Sequence, residues 1–222
     1  MDAPPLPLRL RPGVEARRAR EEVNRRLVDL VDSDVAAAAA VMEREPYQFS
    51  RRTYVRTVFA AIEAVVWSLK QSAVLAGGIA SLSFSQAELA LLKEKTYSLK
   101  PNGRAEELPA RLRFEDNLKF ALKIYARLHG AETVVDFGGP GFQALHRARK
   151  VRDRLTHPKC PDDLDVNVEE ARDTFDGFKW VRDTALRIQQ QGIVKMEEEI
   201  GRLTGQLAIT EEKQPPIAPP SS

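Results

Sequence analysis

Apolar residues recur every three or four positions along most of the chain, which is the spacing of amphipathic helices. Residues 51–75 show it most clearly, and their expected apolar face consists of Tyr54, Val58, Ile62, Val65, Leu69 and Ala73. We find no convincing alternation of the kind that predicts a strand, and no internal repeat. The pattern therefore predicts an all-α protein built as a helical bundle.

Prolines, glycines and capping residues divide this pattern into segments. Pro46 ends one helix because proline excludes its predecessor from helical geometry. Ser85, with Glu88 three residues later, is a capping box that begins another. The predicted helices are 14–31, 35–45, 51–75, Ser85 to about Tyr97, 110–128, 142–156 and 167–191, with residues 99–108 as a loop. A weaker amphipathic stretch at 193–207 contains two glycines, which disfavour a helix.

The proline distribution predicts the domain organisation. Residues 1–13 and 210–222 are proline-rich and are expected to be disordered. Between them we expect an N-terminal helical extension at 14–45, a single helical bundle at 48–192, and a weakly helical start to the tail at 193–222.

Composition narrows the class of protein. Of the 222 residues, 43% are hydrophobic, which is enough for a sizeable core, and the net charge of +2 does not point to any partner. The single cysteine, Cys160, cannot form an internal disulfide and fits a reducing compartment. No signal peptide or uninterrupted membrane span of about 18 residues is recognisable. We expect a cytoplasmic protein without a membrane partner.

Positive charge is concentrated between residues 147 and 159. Arg147, Arg149, Lys150, Arg154 and Lys159 surround Arg152, with Asp153 as the only acid among them. Such a cluster suits phosphate binding, and these five residues are candidate phosphate contacts. A solvated helix face is the alternative interpretation.

Arg152 falls inside an apolar stripe formed by Phe142, Leu145, Ala148, Val151 and Leu155. A guanidinium in this position requires a carboxylate, an anionic ligand or a partner subunit, unless its stem packs and its head reaches water. Glu63 is one candidate carboxylate. The simpler interpretation of Glu63 is a solvated residue that pairs with Lys70 or Arg56.

His157 is predicted to lie where the same helix ends, because Pro158 forces it out of helical geometry. The negative end of the helix dipole there favours an imidazolium. Asp153 lies one turn earlier and is placed to accept a hydrogen bond from the imidazole, which would orient it for proton transfer. Alternatively, His157 only caps the helix.

Arg152-Asp153-x3-His157 resembles the Arg-polar-x3-His signature of the HEPN superfamily (higher eukaryote and prokaryote nucleotide-binding domains). The layout is similar too, since the motif ends a late helix of a bundle and another helix follows. The resemblance covers about residues 48–192 and leaves out the N-terminal 45 residues and the tail.

The resemblance implies a metal-independent endoribonuclease that works as a homodimer, in the role of a toxin or defence effector. His157 would be the general acid or base, Arg152 would bind the scissile phosphate, and Asp153 would orient one of them. RNA would be the substrate, His146 a candidate extension of the RNA-binding strip, and an antitoxin or regulatory protein a further partner. No cofactor or metal is expected. The alternatives are a non-catalytic HEPN-like module that binds a second copy, a nucleotide or a protein, and a plain interaction protein.

Overall fold

The computed structural model describes residues 12–77 and 84–212, and within them the chain is mostly helical. The helices are α1 (Pro12–Arg44), α2 (Gln48–Gly77), α3 (Gln86–Leu92), α4 (Phe114–His129), α5 (Pro140–Thr156) and α6 (Val168–Glu212). Two short strands, β1 (Lys95–Leu99) and β2 (Ala105–Pro109), lie between α3 and α4, and single 3-10 turns precede α5 and α6. The prediction of a mostly helical, all-α protein is therefore confirmed.

Helix α2 lies at the centre of the bundle and contacts each of the other five helices. Its predicted apolar face is buried at all six positions, Tyr54, Val58, Ile62, Val65, Leu69 and Ala73. Burial of such large side chains is the main source of stability in a bundle. This central helix also supplies the side chains that fix the end of α5.

Helices α5 and α6 run antiparallel and approach closely because α6 has a glycine at the contact. A Cβ on Gly177 would lie 2.7 Å from the Cα and 2.9 Å from the backbone nitrogen of Leu145. Backbone atoms cannot move aside as a flexible side chain can. The separation of the two helices is therefore set by Gly177.

Gly177→Ala should reduce the free energy of unfolding by about 1–3 kcal/mol, because the added methyl group overpacks the interface between α5 and α6. Urea unfolding measures the change. Gly201→Ala is the matched control, since a Cβ there meets nothing within 4 Å in the same helix. It should leave stability unchanged or raise it by up to about 1 kcal/mol. Equal losses in the two variants would contradict this account of the interface.

The hairpin of β1 and β2 corrects the prediction of a helix up to Tyr97 followed by a loop. Helix α3 ends at Leu92, and Glu94 then takes a left-handed conformation with φ of 54°. The strands pair antiparallel from Lys95 with Pro109 to Leu99 with Ala105, and Gly103 supplies the positive φ of the turn. Cross-strand pairing stabilises the strands here, and single-strand periodicity does not reveal it.

The predicted interruption of the first helix is wrong, and the stretch at 193–207, whose helicity the sequence left open, is helical. The segments predicted at 14–31 and 35–45 belong to one helix, α1, which ends at Arg44 and whose middle is joined to α6 by the ion pair of Asp32 with Arg182 (3.0 Å). The stretch 193–207 continues α6 as a regular helix to Glu212. Of the termini predicted to be disordered, Pro12, Gly13 and residues 210–212 are helical, and residues 1–11 and 213–222 lie outside the described residues.

By length and composition alone, α2 could cross a membrane. Half of that apolar stretch is buried inside the bundle, and the core helix of a soluble protein meets the same criterion. The criterion therefore assigns no membrane role to α2.

Candidate functional site

The candidate site is the C-terminal end of α5. The predicted stripe of Phe142, Leu145, Ala148, Val151 and Leu155 is buried and anchors α5 in the core. His157 is the residue that caps the helix, with φ of −130° and ψ of 60°, and its backbone N–H donates to the Asp153 carbonyl oxygen (3.0 Å). The predicted departure of His157 from helical geometry before Pro158 is confirmed.

Polar side chains at the start of α2 hold the chain on both sides of His157. Arg56 donates to the carbonyl oxygen of Leu155 (3.1 Å), which is one of the unsatisfied acceptors at the end of α5. Arg52 donates to the carbonyl oxygen of Leu164 (3.1 Å) and Arg51 to that of Val166 (3.0 Å). Local sequence does not reveal these contacts because they join residues about a hundred positions apart.

The loop after His157 has its own constraint. The Asp163 carboxylate accepts hydrogen bonds from the backbone N–H groups of Lys159 (2.7 Å) and Cys160 (3.2 Å). These bonds, the Lys159 bond above all, keep the pKa of Asp163 below its usual value. His157 therefore lies between two fixed segments, the end of α5 and the turn at Asp163.

Arg152 satisfies its charge with carboxylates, one of the options expected for an arginine in an apolar stripe. Its Nη2 lies 2.6 Å from Glu63 Oε1 and its Nη1 lies 3.3 Å from Asp153 Oδ1. The guanidinium is centred 5.9 Å from the centre of the Phe59 ring, a cation–π contact that local sequence does not predict. The arginine side chain is 30% exposed, so a ligand from solution can reach it.

Glu63 is exposed, as the simpler interpretation predicted, but the predicted pair with Lys70 or Arg56 is wrong. Lys70 is fully buried and its ammonium contacts Glu94 Oε1 (2.5 Å) and Asn117 Oδ1 (2.9 Å). Arg56 is bound to the end of α5. Glu63 therefore pairs with Arg152 across α2 and α5.

The side chain of His157 is exposed, and among the described residues its imidazole has no hydrogen-bond partner. The expected bond from the imidazole to Asp153 is not formed, and that carboxylate accepts instead from Arg149 (3.0 Å) and Arg152 (3.3 Å). Of the two roles expected for Asp153, its contacts fit the orientation of Arg152. Both nitrogens of the imidazole remain open to a substrate or a second protein.

Most of the predicted phosphate contacts already hold a carboxylate. Arg147 binds Asp173 through two hydrogen bonds (2.7 and 2.6 Å), Arg149 binds Glu115 (2.8 Å), and Arg154 binds Glu170 (2.9 Å). Lys150 and Lys159 are exposed and have no acidic partner within the described part of the chain. The concentrated charge of the sequence is thus largely neutralised by acids from α4 and α6.

His146 forms a second contact with α4. Its Nδ1 lies 2.7 Å from Glu115 Oε1, the same oxygen that accepts from Arg149. Burial acts to raise the pKa of Glu115, but the hydrogen bond from His146 and the charge of Arg149 outweigh it and leave that pKa below its usual value. His146 thus has a structural partner, six residues before the motif begins at Arg152.

The site presents one exposed histidine and one partly exposed arginine at a fixed helix end. Within the described ranges, 12–77 and 84–212, no group of three histidine, cysteine, aspartate or glutamate side chains is close enough together to hold a metal ion. An imidazole can transfer protons near neutral pH and a guanidinium can bind a phosphate. Comparison of the chain with protein-family models, curated proteins and solved structures gave no match, so function is inferred from the site itself.

Proposed function

We propose that the protein is a metal-independent endoribonuclease of the HEPN type, acting in the cytoplasm as a toxin or defence effector. The observation that supports this most is the exposed imidazole of His157, which has no hydrogen-bond partner among the described residues and follows Arg152 by five positions at a helix end held by the Arg56 contact. Catalytic groups need a fixed position and an open side towards the substrate. The held backbone at His157 addresses the first condition, and its exposed imidazole addresses the second.

In this proposal His157 removes the proton of the ribose 2′-hydroxyl or delivers one to the leaving oxygen. Arg152 binds the scissile phosphate and stabilises the charge that develops on it. Asp153 and Glu63 hold the guanidinium until RNA exchanges with them. The products would be a 2′,3′-cyclic phosphate and a 5′-hydroxyl.

A homodimer is part of the proposal because one copy of the motif offers an exposed surface rather than an enclosed site. A second motif facing the first would supply another His157 and another Arg152 across a symmetric cleft. Of the five predicted phosphate contacts, Lys150 and Lys159 hold no carboxylate within the described residues and could contact the RNA backbone, and such contacts weaken with added salt. A cognate antitoxin or regulatory protein would act by covering this surface.

The second candidate is a non-catalytic HEPN-like module that binds a second copy, a nucleotide or a protein. The neutralisation of Arg147, Arg149 and Arg154 by carboxylates favours it, because three expected phosphate contacts are already occupied.

Arg152→Ala separates the two candidates. In an enzyme we expect the cleavage rate of total RNA in excess EDTA to fall by about 10²–10³-fold, since one phosphate-stabilising donor is lost. A module would not cut RNA, and the same substitution would weaken its binding of nucleotide or RNA. Arg172→Ala is the control, because Arg172 is an arginine on α6 with its side chain 82% exposed. Equal cleavage by both variants would remove Arg152 from the proposed mechanism.

A further inference from the structure

The C-terminal part of α6 extends beyond the bundle. Gly192 packs against the ring of His129, where a Cβ would meet Nδ1 at 2.2 Å, and the Lys195 ammonium donates to the Gly130 carbonyl oxygen. Every residue from Ile193 to Gln206 is exposed, and the helix continues to Glu212. Helices in proteins take most of their stability from packing an apolar face, which this exposed stretch does not do within one copy of the chain.

The extension has an apolar stripe along one side. Ile193, Met196, Ile200 and Leu203 are 43–58% exposed and follow the alternating spacing of three and four residues that defines a heptad repeat. Leu186, 49% exposed, lies one heptad before Ile193. A contiguous apolar stripe of this kind on an exposed helix marks a surface for another protein.

We propose that this stripe pairs with the same stripe of a second copy of the chain in a parallel, two-stranded coiled coil. In the heptad repeat, Ile193 and Ile200 occupy position a, and Met196 and Leu203 occupy position d. Isoleucine at a with leucine at d is the combination that favours two parallel strands. The partner is therefore specified by the residues of the stripe itself.

The charged residues beside the stripe agree with the parallel arrangement. Glu197 occupies heptad position e, and Glu199 occupies position g. In a parallel pair, position g of one helix lies beside position e of the next heptad in the other helix. Glu197 would then lie beside Gly192 of the other copy, and Glu199 beside its Thr204. An antiparallel pair would instead bring the two copies of Glu197 to one side and the two copies of Glu199 to the other. Such like-charge contacts oppose association.

This surface is separate from the candidate active site. The Arg154–Glu170 contact places the end of α5 beside the start of α6, and 26 residues of α6 separate Glu170 from Met196. At the rise of an α-helix, that distance is about 40 Å. The coiled coil therefore does not depend on the proposed ribonuclease activity, although a parallel pair leaves both copies of His157 at the same end of the dimer.

Sedimentation velocity of the full-length protein over a range of micromolar concentrations tests the pairing. We expect a dimer whose dissociation constant rises about tenfold or more in Ile200→Asp, because a carboxylate would enter the paired stripe. Val194→Asp places the same charge on an exposed residue outside the stripe and should not change the constant. A monomeric wild type, or a dimer that Ile200→Asp leaves intact, would overturn the proposal.

Cross-linking tests the orientation. In a Cys160→Ser background, Leu203→Cys should form a disulfide-linked dimer on mild oxidation, since d positions of parallel strands face each other within disulfide range. Val194→Cys, which lies outside the stripe, should form no disulfide-linked dimer. A dimer that Leu203→Cys cannot cross-link would rule out the parallel arrangement. The cysteines are far from His157, so this result is independent of RNA cleavage.

Discussion

His157→Asn is expected to lower the rate of RNA cleavage by about 10²–10⁴-fold, the usual contribution of a general acid or base. Asparagine keeps a polar side chain at the end of α5 but cannot transfer a proton near neutral pH. The imidazole is exposed and, among the described residues, makes no hydrogen bond. Its loss should therefore change the free energy of unfolding by no more than about 0.5 kcal/mol.

Single-turnover cleavage rates, measured alongside thermal unfolding, separate a chemical role from a structural one. Cys160→Ser is the control because Cys160 is exposed, forms no disulfide and caps the turn after His157 through a sulfur that a serine hydroxyl can replace. It should retain full activity and stability. If His157→Asn cut RNA as fast as Cys160→Ser, His157 would have no part in the chemistry.

The largest effect on stability is expected from Lys70→Ala. Lys70 is fully buried between α2 and α4, and its ammonium is held by Glu94 and Asn117. Alanine would leave a cavity and remove the partner of both acceptors. Because the Glu94 side chain is 43% exposed and can be solvated, we expect a loss of about 2–4 kcal/mol, near the lower end for breaking a buried ion pair.

Lys70→Met distinguishes packing from charge in this contact. Methionine fills most of the space of the lysine stem and leaves only the hydrogen bonds unmade, so the loss should be about 1 kcal/mol. Lys179→Ala removes an exposed lysine in an i,i+4 ion pair and should cost no more than about 0.5 kcal/mol. Urea unfolding measures all three, and a Lys70→Ala variant as stable as Lys179→Ala would contradict the account.

Local sequence was sufficient to predict the features that depend on a single helix. The buried faces of α2 and α5, the capping box at Ser85 and the exit of His157 from α5 all follow from spacing and from the geometry of proline and serine. The motif of Arg152, Asp153 and His157 was found in the same way. Each of these signals lies within about two helical turns of sequence.

Features that depend on tertiary contacts were not predictable. The polar run around Asp32 resembles a helix break until the ion pair with Arg182 is known. The hairpin depends on pairing across its turn, and the arginines of α5 are neutralised by acids of α4 and α6. The contact of Arg152 with Glu63 was one of several possibilities in the sequence, and packing of α2 against α5 selects it.

Analysis of the RNA ends tests the proposed function most directly. The full-length protein should cut RNA in excess EDTA and leave 2′,3′-cyclic phosphate and 5′-hydroxyl ends, as expected when the ribose 2′-hydroxyl attacks and His157 moves the proton. Cleavage that EDTA abolishes, or that leaves 3′-hydroxyl and 5′-phosphate ends, would contradict the proposed mechanism.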